Sequence, residues 1–188
     1  LKVASDAVFA GGIVAVNSGS ILKSTFSGQI LGQDLTNTAY VGGIAGNNSG
    51  IIDLCAVEFC SYVDTFSASA TVTFDKIEAG AATAGGLVGS LTAGTLTNSY
   101  VQSYVDESLA DSLINGQAAV LVGSVQGGSI DVCFGNVQTQ QNNIYGSLEA
   151  KNTFINNAYI TYTDSDKVYG KYIANFVEFL YIGNPAVF

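Results

Sequence analysis

The chain has 188 residues, nearly half of them apolar and only 11% charged, with fifteen acids against six lysines and a net charge of −9. That length admits one ordinary domain with a real core, while the charge repels phosphate backbones and anionic lipid, which argues against nucleic acid as a partner. No uninterrupted run of about 18 apolar residues exists, so no membrane insertion is expected, and the absence of histidine removes the usual general base and the commonest transition-metal ligand.

Five segments in chain order share one grammar. The first is Gly11-Gly12-Ile13-Val14-Ala15, then Asn17-Ser18-Gly19-Ser20-Ile21, then Ser24. The second is Gly42-Gly43-Ile44-Ala45-Gly46, then Asn48-Ser49-Gly50-Ile51-Ile52, then Cys55. The third is Gly85-Gly86-Leu87-Val88-Gly89, then Ala93-Gly94-Thr95-Leu96, then Ser99. The fourth lacks the leading glycine pair: Val120-Leu121-Val122-Gly123, then Gly127-Gly128-Ser129-Ile130, then Cys133. The fifth is degenerate, with Ile144-Tyr145-Gly146, then Asn152-Thr153-Phe154, then Asn157. Each half-segment is short, rich in β-branched residues and bounded by Gly or Asn, which is strand and turn chemistry.

One such unit cannot bury its apolar face alone, whereas stacked units bury a continuous column. The expected fold is therefore all-β: a parallel β-solenoid of about five irregular coils with loop insertions and a C-terminal cap. In it Ile21, Ile52, Leu96, Ile130 and Phe154 form one ladder along the axis. Ser24, Cys55, Ser99, Cys133 and Asn157 form a second ladder of small residues, which permits a tight bend.

Two stretches interrupt the repeat. Between the second and third segments, Ser67–Phe74 alternates polar and apolar and reads as an extra strand or hairpin arm. Asp106–Gly116 reads as a short helix, capped by Asp106, with Leu109 and Leu113 on one face and Gly116 as its stop. Residues 1–167 form the repeat domain, and 168–188 a separate aromatic segment. There Ile173, Phe176, Val177 and Leu180 have helical spacing. Tyr169, Tyr172, Phe176, Phe179, Tyr181 and Phe188 either cover the open end of the stack or dock on another molecule.

Few residues carry chemistry. Of Cys55, Cys60 and Cys133, one pair could bridge and leave a single thiol, but buried small apolar residues are the favoured reading. Asp106, Glu107 and Asp111, and Asp164 with Asp166, are acidic clusters without the loop pattern of a calcium site. Asn47-Asn48-Ser49 is a glycosylation sequon in a predicted turn, with Asn47 as acceptor. No pair of carboxylates on one rung is evident for glycoside hydrolysis. No catalytic, cofactor or metal site is expected, and the chain is read as not an enzyme.

Gly85–Gly89 with Gly94–Val101, and Gly42–Gly46 with Asn48–Ile52, resemble the GLUG motif of bacterial surface proteins. The resemblance covers roughly residues 9–160 and implies a secreted or surface-attached repeat protein, extracellular or at the cell surface, often adhesin-like, with a β-solenoid architecture. Two functions follow as expectations. One is a structural or adhesive repeat protein that assembles with itself into a surface layer or filament. The other is an adhesin module that binds surface glycans or proteins through its insertions or through Tyr40, Tyr62, Tyr100 and Tyr104. A β-helix enzyme acting on polysaccharide is the weaker third.

Overall fold

The fold is that of a computed structural model, described for residues 1–64, 71–105, 113–137, 139, 143, 145–148, 154–160 and 171–172. Coil 1 runs through β1 (Phe9–Gly11), β2 (Val14–Asn17), β3 (Ser20–Leu22) and β4 (Thr25–Phe26). Coil 2 comprises β5 (Gln29–Leu31), β6 (Tyr40–Gly42), β7 (Ala45–Asn48), β8 (Ile51–Asp53) and β9 (Ala56–Phe59). An antiparallel hairpin of β10 (Ser61–Asp64) and β11 (Thr71–Phe74) then leaves the stack. Coil 3 has β12 (Lys76–Gly85), β13 (Val88–Leu91), β14 (Thr95–Thr97) and β15 (Tyr100–Ser103). Coil 4 has β16 (Ile114–Ala119), β17 (Val122–Val125) and β18 (Ser129–Asn136). Coil 5 has β19 (Tyr145–Leu148) and β20 (Phe154–Ile160), and β21 (Lys171–Tyr172) adds in parallel to β20.

Equivalent strands of successive coils pair in parallel and build three sheets. The first is β1-β6-β12-β16, with β5 also on β12; the second is β2-β7-β13-β17-β19. The third holds β3-β8-β14-β18 and, past a kink, β4-β9-β15-β18, with β20 on β18. The chain is a parallel β-solenoid. Its interior is a set of columns, one residue per coil: Ile44, Leu87 and Leu121 at the corner of the first and second sheets, and Ile30, Ile77 and Ile114 further along, all fully buried.

The kink in the third sheet recurs at Lys23, Leu54, Asn98 and Val132, whose φ angles are 50°, 55°, 46° and 51°. A non-glycine residue pays about 1–2 kcal/mol for this left-handed conformation. The next residue offsets part of it. Ser24 and Ser99 donate their hydroxyls to the carbonyls of Leu22 and Thr97, at 2.9 and 2.6 Å. The thiols of Cys55 and Cys133 point the same way at the carbonyls of Asp53 and Asp131, at 3.3 and 3.4 Å. The column of small residues is thus the hinge at which each coil bends.

The stretch around residues 106–116 departs from the helical expectation. Residues 106–112 lie outside the described residues, but Ile114–Ala119 is strand and Gly116 sits inside it. Ile114 is fully buried against Ile77, so the column, not the local spacing of leucines, sets its conformation. Gly116 has φ +117° and marks an irregularity in the sheet rather than a helix stop. The alternating stretch ending at Phe74 is a hairpin arm from Thr71 onward; Ser67–Ala70 lie outside the described residues.

Candidate functional site on the outer face of the first sheet

The residues of β1, β6, β12 and β16 alternate. Ala10, Val41, Ala84 and Ala118 are buried, which puts their neighbours Phe9, Tyr40, Thr83 and Gln117 in one outward column. Phe9 and Tyr40 stack, with ring centroids 5.9 Å apart and planes inclined by 22°. Thr83 follows, then Gln117, about 10 Å from Tyr40 at the usual spacing of paired strands.

Beside Gln117 the sheet opens. β12 pairs with β16 through Ile77–Ile114 and Glu78–Asn115, then slips, so that Thr83 meets Gln117. Between these pairs β12 runs through four residues, Ala79–Ala82, against Gly116 alone on β16; Ala79 and Ala82 stay buried, while Gly80 and Ala81 loop outward, turning at Gly80 with φ +58°. A side chain there would strike the Gln33 carbonyl, so the position needs glycine for space as well as for conformation. The bulge and the neighbouring loop enclose an open groove of about 460 Å³. Its floor is Gly80, Ala81 and Gly116, and its polar walls are Gln33, Glu78, Asn115 and Gln117.

Glu78 is fixed from two sides. Lys76 Nζ pairs with its Oε1, and Gln33 Nε2 donates to its Oε2 at 2.6 Å. The Lys76 hydrogen bond, helped by Gln33 and opposed by partial burial, holds the Glu78 carboxyl below the ordinary glutamate range. The groove thus presents carboxamides and one ionised carboxylate, and the aromatic pair lies on the same sheet face, Tyr40 about 10 Å and Phe9 about 15 Å from Gln117. These groups suit hydroxyl-rich ligands, whose OH groups both donate and accept. Glycoside hydrolysis by two carboxyl groups needs a second acid about 5–9.5 Å away. Among the described residues lining the groove, Glu78 is the sole acid.

The ladder residues have structural places. Ile21, Ile52, Leu96 and Ile130 are in register. The fifth member needs correction: Ile130 faces Ile155, and Phe154 pairs with Ser129. Likewise Ala158, not Asn157, lies beside Cys133, and Asn157 falls level with the kink residue Val132. Two adjacent apolar residues, Phe154 and Ile155, fit the pattern equally well; the register of the coil below decides, and a slip of one residue exchanges the faces.

The three cysteines are free. Cys55 and Cys133 are separated along their column by Ser99, about two strand spacings or 10 Å, too far for a disulfide. Burial raises the pKa of both thiols, that of Cys133 to about 12. Asn47 does not lie in a turn but in β7, half-buried, opposite Val16 and Ser90, where its side-chain oxygen accepts the Thr92 hydroxyl at 3.1 Å. Of the named tyrosines, Tyr62 and Tyr104 are exposed; the Tyr62 hydroxyl donates to Asp75 and that of Tyr100 to Glu58. Tyr172 lies on β21, opposite Ile160. Tyr169, Phe176, Phe179, Tyr181 and Phe188 lie outside the described residues, as do Leu109, the two acidic clusters and residues 173–180.

The groove residues were not singled out in the sequence. A signal was present: a glycine inside an otherwise strand-like run, Gly80 in Lys76–Gly85, marks a bulge or a close backbone approach. Comparison with family models, curated proteins and solved structures gives no match for this chain.

Proposed function

We propose that the chain is an extracellular structural and adhesive repeat module, a rigid stack that spaces and presents an outer face. The observation that carries this reading is the parallel stacking of coil on coil in all three sheets, with one slip, between β12 and β16, among the described pairings. A ladder of this kind is stiff along its axis and repeats its surface from coil to coil. The GLUG-like segments at Gly42–Ile52 and Gly85–Val101 coincide with the strands and turns of coils 2 and 3, which supports a kinship with bacterial surface repeats.

A second reading, a glycan-binding adhesin, is favoured by the groove and by the Phe9–Tyr40 stack further along the same sheet face. Net charge and the pairing of Lys76 with Glu78 favour neutral over polyanionic sugars. Displaying the chain on non-adherent cells and measuring retention on glycan-coated and bare surfaces tests both readings. Adhesion is expected, and the double variant Gln33→Ala/Gln117→Ala should lose about tenfold of the glycan-dependent part, two neutral hydrogen bonds at roughly 0.5–1.5 kcal/mol each. Adhesion that the double variant leaves intact would remove the groove reading; no adhesion to any surface would remove both.

A further inference from the structure

Coil 1 ends the stack in an unusual way. Ile13 belongs to the corner column of Ile44, Leu87 and Leu121, each of which is fully buried, yet Ile13 is 38% exposed. Ala15 is exposed at the position where Gly46, Gly89 and Gly123 are buried. Among the described residues the strands β1, β2, β3 and β4 pair only with coil 2, which leaves their other edge open. An open parallel edge with apolar residues on it is a template for another strand.

Two residues show what the template is shaped for. Gly50, Gly94 and Gly128 close the turn between the second and third sheets, and a Cβ on any of them would strike the glycine carbonyl of the preceding coil: Gly19, Gly50 and Gly94 respectively. Gly19 occupies the same place in coil 1. A Cβ there would meet nothing nearer than its own coil's Asn17 Oδ1, at 4.0 Å, and Gly19 does not have a positive φ. Among the described residues nothing requires glycine at 19; a coil above it would.

Asn17 carries the same message. It is 6% exposed and donates Nδ2 to Asn48 Oδ1 at 2.7 Å, so the two form a short asparagine ladder. Asn48 Oδ1 accepts both from Asn17 and from the Gly50 amide, at 3.3 Å. Asn17 Oδ1 accepts the Gly19 amide at 3.1 Å and has capacity for one more donor, which an asparagine in the coil above would fill.

We infer that the open face of coil 1 is a seat for one further coil of the same grammar, with an Asn-Ser-Gly turn, joined in parallel register ahead of Leu1. The direction fits: Lys2 already enters the stack opposite Leu31, the place each coil reaches after its third-sheet strands. A second copy stacked end to end fits less well. Among the described residues the column of Asn17 and Asn48 continues as Leu91, Val125 and Leu148, and its far end offers the Asn17 oxygen no side-chain donor. This inference rests on the solenoid fold and not on adhesion, so the two fail separately.

The test is a full chain carrying an extra copy of residues 1–29 ahead of Leu1, the interval that separates Lys2 from Leu31. In the native chain the amides of Tyr40, Ser49, Ile51 and Ala56 donate to carbonyls of coil 1. Their equivalents are Phe9, Ser18, Ser20 and Thr25. Hydrogen exchange at those four amides should slow roughly tenfold or more in the extended chain. Gly19→Ala should leave the native chain unharmed but abolish the added protection of Ser18 and Ser20 in the extended one, with Ile44 and Leu87 amides reporting an intact fold in both. Unchanged exchange at all four amides would overturn the seat, as would equal behaviour of Gly19→Ala in the two chains. Concentration-dependent protection of the four amides in the native chain would make the occupant a second copy and overturn the proposed one.

Discussion

Gly135 and Val120 explain why the fourth segment breaks the motif. In coils 1 to 3 the second glycine of the pair packs under a larger side chain of the third sheet. A Cβ on Gly12, Gly43 or Gly86 would strike the carbonyl of Gly43, Gly86 or Val120 in the next coil, at 2.2–2.3 Å, and come within 2.5–2.7 Å of Phe26, Val57 or Val101. Those three side chains are in register with one another and then with Gly135. In coil 4 the contact is inverted: Val120 takes the glycine position and fills the space that Gly135 leaves, so that a Cβ on Gly135 would overlap Val120 Cγ1. The missing glycine is therefore half of a compensated exchange. Gly135→Val alone should overpack and cost about 1–3 kcal/mol. Val120→Gly alone should cost about 2–3 kcal/mol through the lost side chain and added backbone freedom. The double variant should recover most of both losses, read as a coupling energy from denaturant unfolding of the four chains. Strict additivity would refute the exchange.

At the scale of elements, the hairpin β10–β11 shows how an insertion is tied to the stack. Asp75, 2% exposed, sits at its base, and its Oδ2 accepts the Ser27 hydroxyl at 2.7 Å, the Tyr62 hydroxyl at 3.0 Å and the Cys60 amide at 3.2 Å. Gln29 Nε2 adds a bond to the Phe74 carbonyl at 2.8 Å. A buried carboxylate is tolerable only when donors replace its water. Asp75→Ala removes the shared acceptor of three donors, of which the Ser27 and Tyr62 hydroxyls are exposed enough to turn to water, and should cost about 1–3 kcal/mol, with the amides of Ser61–Asp64 losing exchange protection first. Asp75→Asn, which keeps an acceptor, should cost less. Equal losses for the two variants would show that the side chain acts through packing alone. The kink of the third sheet is the other element-scale device: four left-handed residues, none of them glycine, each followed by a Ser or Cys that bonds back.

For the whole molecule, a stack in which each coil touches only its neighbours should not be uniformly stable. Coils 2 to 4 have partners on both sides and fully buried corner residues, whereas coil 1 exposes Leu1, Val8, Ile13, Val16 and Leu22. Native-state hydrogen exchange should therefore grade along the axis. The Ile44 and Leu87 amides should exchange by global unfolding, and Ile13 and Val14 by fraying of the first coil. A single exchange free energy for all four would mean that the stack unfolds as one cooperative unit. The groove on the first sheet belongs to this scale too, because it forms where strands of two coils fall out of step.

The repeat, the strand-and-turn grammar and the parallel stack were legible in the sequence, because a residue that must sit on its own kind in the next coil leaves a periodic trace. The columns from Ile21 to Ile130 and from Ser24 to Cys133 follow from that trace alone. The assignments that needed the third dimension are those in which a neighbour overrides the local pattern. Ile155 rather than Phe154 faces Ile130, because strand parity is set by the coil below. Ile114–Ala119 is strand, because Ile77 offers it a column. Val120 stands for glycine, because Gly135 across the corner makes room. The groove of Gln33, Glu78 and Gln117 likewise exists only after β12 and β16 are paired and slip past each other. Amino-acid order sets what each residue can tolerate, but which of two tolerable places it takes is decided by the surface already laid down beneath it.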